Sequence, residues 1–317
     1  MKVLLGRLYQ CPPVERWRCF EGLIKECLHR LGHQVIEMDV NPRLPPDPAE
    51  ADFRIYGHKT RRDVPQGNLF YKEMYMRWLF TMDDQGWGAD HSRMRALPDL
   101  HAISASAAEN FCRSKRAEFL ATGRSKFDQP AVGAIPSSVK PYFFAPLQMP
   151  SDDVIKNHSP IAITQYIAEL SQWADRRGRN IVFKLHPHEP PEIGEEVRKW
   201  VAASNHVFLL NENVHSLISA AHAVIVINSG VGFESLIHGK PVITLGSCDY
   251  QSATFRGSVS DLDAAWDFGN DFSGQQRLQG FRFIHYYYHQ HSYVISEEAP
   301  TPAKPRLMEY LAEHVRN

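Results

Sequence analysis

Residues 224–241 read VIVINSGVGFESLIHGKP, and this stretch decides the fold of the second half of the chain. Its first residues predict a buried strand, because near-continuous apolar runs are typical of strands covered on both faces in a parallel sheet. A short turn then leads into a helix that ends at Gly239, and Pro241 precedes another apolar strand. The stretch therefore predicts a strand-turn-helix unit of a doubly wound sheet.

The turn within this stretch has the features of an anion-binding site. Backbone N–H groups at the helix start, including that of Gly230, join the Ser229 hydroxyl at the carboxyl edge of the sheet, which suits a phosphate. We place Glu234 on the first turn of the helix, within reach of a ribose hydroxyl. A purely structural turn explains the same glycines, but the Glu-x-x-x-x-Gly-x-Pro continuation favours the binding interpretation.

Similar strand and helix patterns extend in both directions along the chain. A βαβ opening is predicted from Val3 to Met38, followed by a proline-rich loop from Asn41 to Pro48. Ser159-Pro160 is expected to begin a helix. Further strands are predicted at Tyr142–Leu147, Ile181–Leu185, Val207–Leu210 and Val242–Leu245. The fold class is therefore α/β, with two Rossmann-like domains.

The segment from Gln129 to Lys140 is rich in Pro, Gly and Ser, which is typical of a domain boundary. We therefore expect an N-terminal Rossmann-like domain over residues 1–138 and a second Rossmann-like domain over residues 139–275. Residues 276–317 read as helices that pack back across the cleft between them.

Composition excludes several classes of function. The 35 Lys and Arg residues almost balance the 36 Asp and Glu residues, so no overall positive field favours nucleic acid. The cysteines are scattered, with no Cys-x-x-Cys pair, which fits a reducing, cytoplasmic location. No stretch reaches the ~20 apolar residues that span a bilayer. Membrane contact, where it occurs, is expected to be peripheral, at the inner face of the cytoplasmic membrane.

A second motif, Phe183 to His188, reads FKLHPH. A strand ends here in a cation, a histidine and a proline that stops the sheet ladder. Lys184 and His186 differ by two positions, so both face one side if the strand continues, where they would hold a phosphate. A capped strand with surface histidines is the alternative. A metal pair at His186 and His188 is not favoured, because no third ligand has a recognisable spacing.

A third motif follows the first strand of the second domain, where Asp152 and Asp153 stand in the sequence PLQMPSDD. Sugar transfer needs a carboxylate as nucleophile or base, so either residue is a candidate. Aspartate is also common in loops and at helix starts, so a structural role stays open for both.

A fourth motif lies in the first domain, where Glu73, Tyr75 and Asp83 are interleaved with aromatic residues and followed by a glycine turn. Aromatic rings stack on sugars and carboxylates accept hydroxyl protons, so the segment suits a saccharide site. An aromatic hairpin explains it equally well. The basic clusters His58–Arg62 and Arg113–Arg116 read as solvated faces, or as contacts for an anionic acceptor or phospholipid headgroup.

In this order, the four motifs resemble the bacterial capsule polysaccharide biosynthesis family, which includes the retaining β-Kdo (3-deoxy-D-manno-octulosonic acid) transferases. The resemblance covers approximately Leu69 to Leu245. It implies a GT-B-like glycosyltransferase whose two Rossmann-like domains face a cleft, with residues 1–138 as the acceptor-side domain and residues 139–275 as the nucleotide-sugar-binding domain. It also implies a CMP-activated sugar donor, a saccharide or glycolipid acceptor, and neither a cofactor nor a catalytic metal.

Carried over residue by residue, the resemblance implies that His186 contacts the nucleotide phosphate and that Asn228, Ser229 and Glu234 belong to the donor pocket. Asp152 takes the position of the candidate nucleophile, and Glu73 that of an acid/base or acceptor-binding residue. The chain has Ser-Asp-Asp-Val at 151–154 where the family usually has Gly-Asp-Ser-Gln, so Asp153 stays a candidate. It has Glu-Met-Tyr-Met at 73–76 where Glu-x-Gly-Tyr is usual, which leaves the acceptor open.

Two other functions remain compatible with the sequence. A GT-B transferase with a UDP- or GDP-sugar donor shares the 234–241 pattern. A catalytically inert scaffold of a capsule-assembly complex would keep the same fold, because a fold alone does not define a function.

Overall fold

The computed structural model describes residues 1–8, 14–40, 50–95, 97–296 and 303–316, so the loop predicted at 41–48 lies outside the described residues. The strands are β1 (Lys2–Leu8), β2 (Gln34–Val40), β3 (Phe53–Gly57), β4 (Leu69–Glu73), β5 (Leu79–Asp83), β6 (Tyr142–Pro146), β7 (Asn180–Lys184), β8 (Val207–Leu209), β9 (Ala223–Val226), β10 (Val242–Thr244), β11 (Phe255–Arg256) and β12 (Tyr293–Val294). The α-helices are α1 (Glu15–Arg30), α2 (Ala105–Thr122), α3 (Asp153–His158), α4 (Ile163–Arg177), α5 (Pro191–Ala203), α6 (Val214–Ala220), α7 (Gly230–Ile237), α8 (Leu262–Asn270), α9 (Gly274–Tyr286) and α10 (Ala303–His314). In the described ranges, no helix is both long and apolar enough to cross a membrane.

The chain divides into two compact units, which differ from the expected domains. The first comprises Met1–Pro98 and Tyr287–Asn317, and the second is the continuous segment Asp99–Tyr286. The boundary falls before α2 rather than near residue 138, because α2 packs against α9 and α7 of the second unit. The expected C-terminal segment 276–317 is also divided, since α9 joins the second unit and α10 packs against α1 in the first.

The first unit contains a mixed sheet in the order β12-β5-β4-β3-β1-β2. Strands β2, β1, β3 and β4 run parallel, whereas β4, β5 and β12 pair antiparallel. Apolar residues of α1 and α10, including Phe20, Ile24 and Leu307, form one buried cluster with the sheet. The return of the chain in β12 and α10 therefore completes the core of this unit.

The second unit contains a wholly parallel sheet in the order β11-β10-β9-β6-β7-β8. The chain begins in the middle with β6, winds outward through β7 and β8, and then returns to the other side of β6 with β9. Phe143 packs between Trp173 and Trp266 in the core beneath the sheet. The predicted α/β class with two Rossmann-like domains is confirmed, and β6 and β9 flank the position where the winding reverses.

Several element boundaries differ from the sequence prediction. Helix α4 begins at Ile163, and Ser159 instead ends α3, where its Oγ donates a hydrogen bond to the backbone oxygen of Ile161 (2.5 Å). The prediction that Ser159 and Pro160 begin a helix was wrong, because residues 153–158 themselves form α3, which Ser159 caps at its C-terminal end. Strands β3, β11 and β12 were not predicted; β11 and β12 contain only two residues each.

Candidate functional site

Three neighbouring strands, β9, β6 and β7, bring the predicted residues of the second unit to one edge of its sheet. All three run parallel, so the segments that follow them begin at the same edge. The loop after β6 is tied to β7 by a hydrogen bond from the Leu147 nitrogen to the Lys184 oxygen (2.9 Å). The structure therefore places the PLQMPSDD, FKLHPH and NSG motifs on adjacent segments.

A reciprocal pair of amides joins the loops after β6 and β9. Gln148 Nε2 donates to Asn228 Oδ1 (2.9 Å), and the Asn228 nitrogen donates to Gln148 Oε1 (3.3 Å). Asn228 Nδ2 also donates to the Val154 oxygen (2.9 Å). Both side chains are buried. Asn228 therefore positions the segment that carries the two aspartates, and Gln148 is a site residue that the sequence analysis did not select.

The two adjacent aspartates have different surroundings. Asp152 is the N-terminal cap residue of α3 and is partly buried. Burial lowers the pKa of His186, and the Asp152 carboxylate lies close enough to oppose that shift. Asp153 is exposed on the first turn of α3, 4.0 Å from Lys156 Nζ. Asp152 is thus the carboxylate that is electrostatically coupled to the FKLHPH motif.

The turn between β9 and α7 is fixed by hydrogen bonds to both the side chain and the backbone of Ser229. Ser229 caps α7, with its Oγ accepting a hydrogen bond from the Val231 nitrogen (3.3 Å), so its hydroxyl proton points elsewhere. The buried Tyr250 hydroxyl donates to the Ser229 oxygen (2.5 Å). A Cβ on Gly232 would lie 2.5 Å from that hydroxyl oxygen, so glycine is required for this close approach. Gly230 is the first residue of α7 and is partly exposed.

His186 is oriented by the loop that contains it. Its Nδ1 accepts a hydrogen bond from the His188 nitrogen (3.1 Å), so the neutral ring carries its proton on Nε2. The ring packs edge-on against Phe127, with centroids 4.8 Å apart. Burial lowers the pKa of His186, His188 lowers it further, and Asp152 opposes both effects. The ring therefore presents an N–H donor.

Lys184 and His186 do not share one environment. Strand β7 ends at Lys184, so the continuation that would have placed both side chains on one side does not occur. Lys184 is buried, and its Nζ donates to Asn211 Oδ1 (3.3 Å) beyond β8. Burial lowers the pKa of Lys184, while Glu212 partly offsets this shift. Within the described residues, no group of three His, Cys, Asp or Glu side chains could hold a metal ion.

Glu234 is buried inside the second unit. It lies on the second turn of α7, so its expected placement on the first turn was wrong. Its Oε1 accepts a hydrogen bond from Ser125 Oγ (2.6 Å), and its Oε2 has no hydrogen-bond partner among the described residues. His215 Nδ1 lies 3.9 Å from Oε2 and contacts His238 Nε2 at 3.2 Å. Burial raises the pKa of Glu234 to about 7.

The three candidates of the first unit have structural partners of their own. Glu73 is buried, forms an ion pair with Arg16, and accepts a hydrogen bond from the Trp78 nitrogen (2.9 Å). Asp83 is also buried and accepts hydrogen bonds from the nitrogen (2.9 Å) and Oγ (2.5 Å) of Ser92. Tyr75 is partly buried near Tyr287. Their acceptor-side roles stay predictions.

A cavity of about 540 Å³ opens beyond the end of β10 in the second unit. Its polar lining includes His158, Ser159, Arg256 and Asp261. None of the candidate catalytic or binding residues predicted from the sequence lines it. The cavity lies next to α3, and Ser247 bonds the His158 oxygen (3.0 Å), so this region is connected to the aspartate-bearing segment.

Comparison with known proteins identifies a family that includes most of these residues in its matched region. The model of the family described as "Capsule polysaccharide biosynthesis protein" matches residues 114–264. The resemblance to this family is confirmed. The matched region contains Asp152, Lys184, His186, Asn228 and Glu234, but none of the first-unit candidates.

Two curated proteins match parts of the chain. The capsule polysaccharide export protein KpsS of Escherichia coli is 28% identical over an alignment of 155 residues that covers 45% of this chain and 40% of KpsS. Protein FixF of Sinorhizobium fredii is 35% identical over an alignment of 129 residues that covers 39% of this chain and 32% of FixF. The matches thus span well under half the length of these relatives.

Solved structures support the fold over nearly the whole chain. The β-Kdo 2,4 transferase of Thermosulfurimonas dismutans KpsC superposes with a TM-score of 0.56 at 14% identity, covering 97% of this chain and 98% of that one. The β-Kdo 2,7 transferase of the same protein gives 0.54 at 14% identity, covering 99% of each chain. At 14% identity, this similarity shows that the present chain shares the fold of the two KpsC transferases.

The amide pair gives a first testable prediction. Replacing Asn228 with Ala leaves the buried Gln148 amide without its partner, so we expect a loss of about 1–3 kcal/mol in the free energy of unfolding. Hydrogen exchange of residues 147–154 should accelerate in the folded protein. Asn157→Ala, at an exposed position of α3, is the matched control. Unchanged exchange in 147–154 would show that the pair does not position this loop.

The raised pKa of Glu234 gives a second prediction. Its carboxyl is favoured in the protonated form by the fold, so its contribution to stability is complete below its ordinary value of 4.5 and is lost as the pH rises through about 7. Glu234→Gln keeps a neutral side chain. The stability of the parent protein relative to this variant should therefore fall as the pH rises across that window, as measured by urea unfolding.

Exposed Glu195→Gln provides the control for this titration. A difference between the parent and Glu234→Gln that is independent of pH would contradict a raised pKa.

Proposed function

We propose that this protein is a glycosyltransferase that takes a sugar from a nucleotide-sugar donor for surface polysaccharide synthesis. The observation that carries the proposal is the position of the site at the winding reversal between β6 and β9. Ligands of open α/β sheets bind outside the carboxyl ends of the strands at this position. The candidate hydrogen-bond donors to the donor phosphate lie on segments beside this position. They are Ser229 with the start of α7, and His186.

The proposed donor is CMP-Kdo. Support comes from the family resemblance over residues 114–264 and from the fold shared with the two KpsC β-Kdo transferases. A departing CMP phosphate would accept hydrogen bonds from His186 Nε2, the Ser229 hydroxyl and the first N–H groups of α7. The buried Lys184 would add positive charge at the end of β7.

The proposed reaction is a double displacement with net retention. The Asp152 carboxylate attacks the anomeric carbon of Kdo, and the bond from that carbon to the phosphate oxygen of CMP breaks. The acceptor hydroxyl then attacks the same carbon, loses its proton to a base and releases Asp152. Asp152 is preferred to Asp153 because it is the partly buried acid coupled to His186.

The acceptor in this proposal is a saccharide or glycolipid, in keeping with the capsule-related names of the family and of KpsS. Glu73, Tyr75 and Asp83 are the proposed residues on the acceptor side. The proposed location is the cytoplasm, at the inner face of the cytoplasmic membrane.

The donor class is tested by the melting temperature of the protein with CMP, UDP and GDP. A nucleotide at 100 times its dissociation constant stabilises the folded protein by about 2.7 kcal/mol. We expect a rise with CMP that is lost in His186→Ala and Ser229→Ala. His29→Ala is the matched control, because it removes an exposed histidine from the last turn of α1 in the first unit.

A rise with UDP or GDP alone would overturn the CMP assignment and favour a GT-B transferase with another donor. No rise with any nucleotide would favour a catalytically inert scaffold. If CMP still raises the melting temperature of both His186→Ala and Ser229→Ala, the nucleotide binds somewhere other than the winding reversal.

The nucleophile is tested without an acceptor, by intact-protein mass spectrometry after incubation with CMP-Kdo. We expect one Kdo adduct that maps to Asp152 and is absent in Asp152→Asn, because an amide does not replace the attacking carboxylate. Asp153→Asn should retain the adduct. An adduct in Asp152→Asn that disappears in Asp153→Asn would exchange the two roles.

A further inference from the structure

A basic pocket lies in the second unit at the opposite end of α7 from the Ser229 turn. Its volume is about 260 Å³, and Ile237, the last residue of α7, forms part of its wall. Seven residue steps along the helix separate Ile237 from Gly230, a rise of about 10 Å. The pocket is therefore distinct from the site at the carboxyl edge of the sheet.

Two packed helices supply the charges of this pocket. Arg113 and Arg116 come from α2, and Arg277 comes from the first turn of α9. Glu109 is the acidic residue in the lining. In the part of the chain that the structure describes, none of the three guanidinium groups has an ion-pair partner. The pocket therefore carries a net positive charge that the fold itself does not neutralise.

The positive charge acts on neighbouring groups. Burial lowers the pKa of Lys240, and Arg116 and Lys140 lower it further. Lys240 Nζ donates to the Ala221 oxygen (2.9 Å), so this ammonium is held in place near the end of α7. Like charges that are kept together repel one another, and an anion bound among them would relieve that repulsion.

The floor of the pocket is apolar. Cys112 is fully buried, and burial raises the pKa of its thiol to about 12, so it adds no negative charge at neutral pH. Ile237 and the Phe281 ring complete this surface. Gly239 is tightly packed beside it, because a Cβ there would lie 2.8 Å from the Phe281 ring. The pocket thus combines an apolar floor with three exposed cationic side chains.

We propose that this pocket is a binding site for a phosphomonoester. Three arginines opposed by one glutamate match the charge of about −1.5 to −2 that a phosphomonoester carries at pH 7. Arginine binds phosphate oxygens through paired N–H groups, and the apolar floor accommodates the carbon atoms next to the ester oxygen. A soluble phosphomonoester and the headgroup of phosphatidic acid both present this chemistry.

The test is calorimetric titration of the full chain with glycerol 3-phosphate, with glycerol as the uncharged control ligand. We expect binding that is weakened about tenfold or more in Arg116→Gln and in Arg277→Gln, as befits hydrogen bonds to a charged group. Arg176→Gln, which removes an exposed arginine from α4, should bind like the parent protein. Glu109→Gln should bind more tightly, whereas Glu195→Gln should not.

The His186→Ala variant separates this pocket from the proposed donor site. Binding that persists in His186→Ala and is lost in Arg116→Gln supports the proposal. The reverse pattern, or equal loss in Arg176→Gln and Arg116→Gln, overturns it. The outcome does not depend on whether the protein transfers a sugar.

Vesicles distinguish the two sources of the phosphomonoester. Phosphatidylcholine vesicles with and without phosphatidic acid are sedimented with the same variants. Retention that requires phosphatidic acid and both arginines identifies a lipid headgroup. Glycerol 3-phosphate binding without such retention identifies a soluble ligand, and the absence of both overturns the proposal.

Discussion

The arrangement of the second unit depends on the reciprocal amide pair between Gln148 and Asn228. Parallel strands deliver their following loops to one edge, but they do not fix the distance between those loops. The buried pair does so, because a displacement of either loop would leave buried amide groups without their hydrogen-bond partners. The position of Asp152 and the start of α7 both follow from this constraint.

Buried groups around α7 form a polar region that carries little charge. Burial raises the pKa of Glu234 to about 7 and lowers that of His238 to about 3, so the fold disfavours the charged form of each. Glu234 and His215 hold the segment after α2, because Ser125 Oγ donates a hydrogen bond to Glu234 and His215 Nε2 bonds the Arg124 oxygen. Phe127 of that segment packs on His186. The buried contacts of Glu234 and His215 therefore help to orient His186, a candidate phosphate-binding residue.

The fold class and the placement of motifs at one sheet edge were predictable from the sequence, because long apolar runs and glycine turns are local patterns. The unit boundary was not, since it depends on α2 packing against α9, which is distant in sequence. Gln148 was missed because a single amide residue in a loop has no periodicity. The burial of Glu234 was missed for a related reason: its partner, Ser125, is 109 positions away.

The continuous span of the second unit affects the order in which the protein is made. Translation completes Asp99–Tyr286 before β12 and α10 leave the ribosome, although β1 to β5 were made first. The first unit then lacks Leu307 and Leu311 of its core, and the β5 edge lacks its β12 neighbour. During this interval the first unit is incomplete and prone to aggregate, whereas the second unit is already able to fold. Chaperones can act on the first unit until β12 and α10 are synthesised.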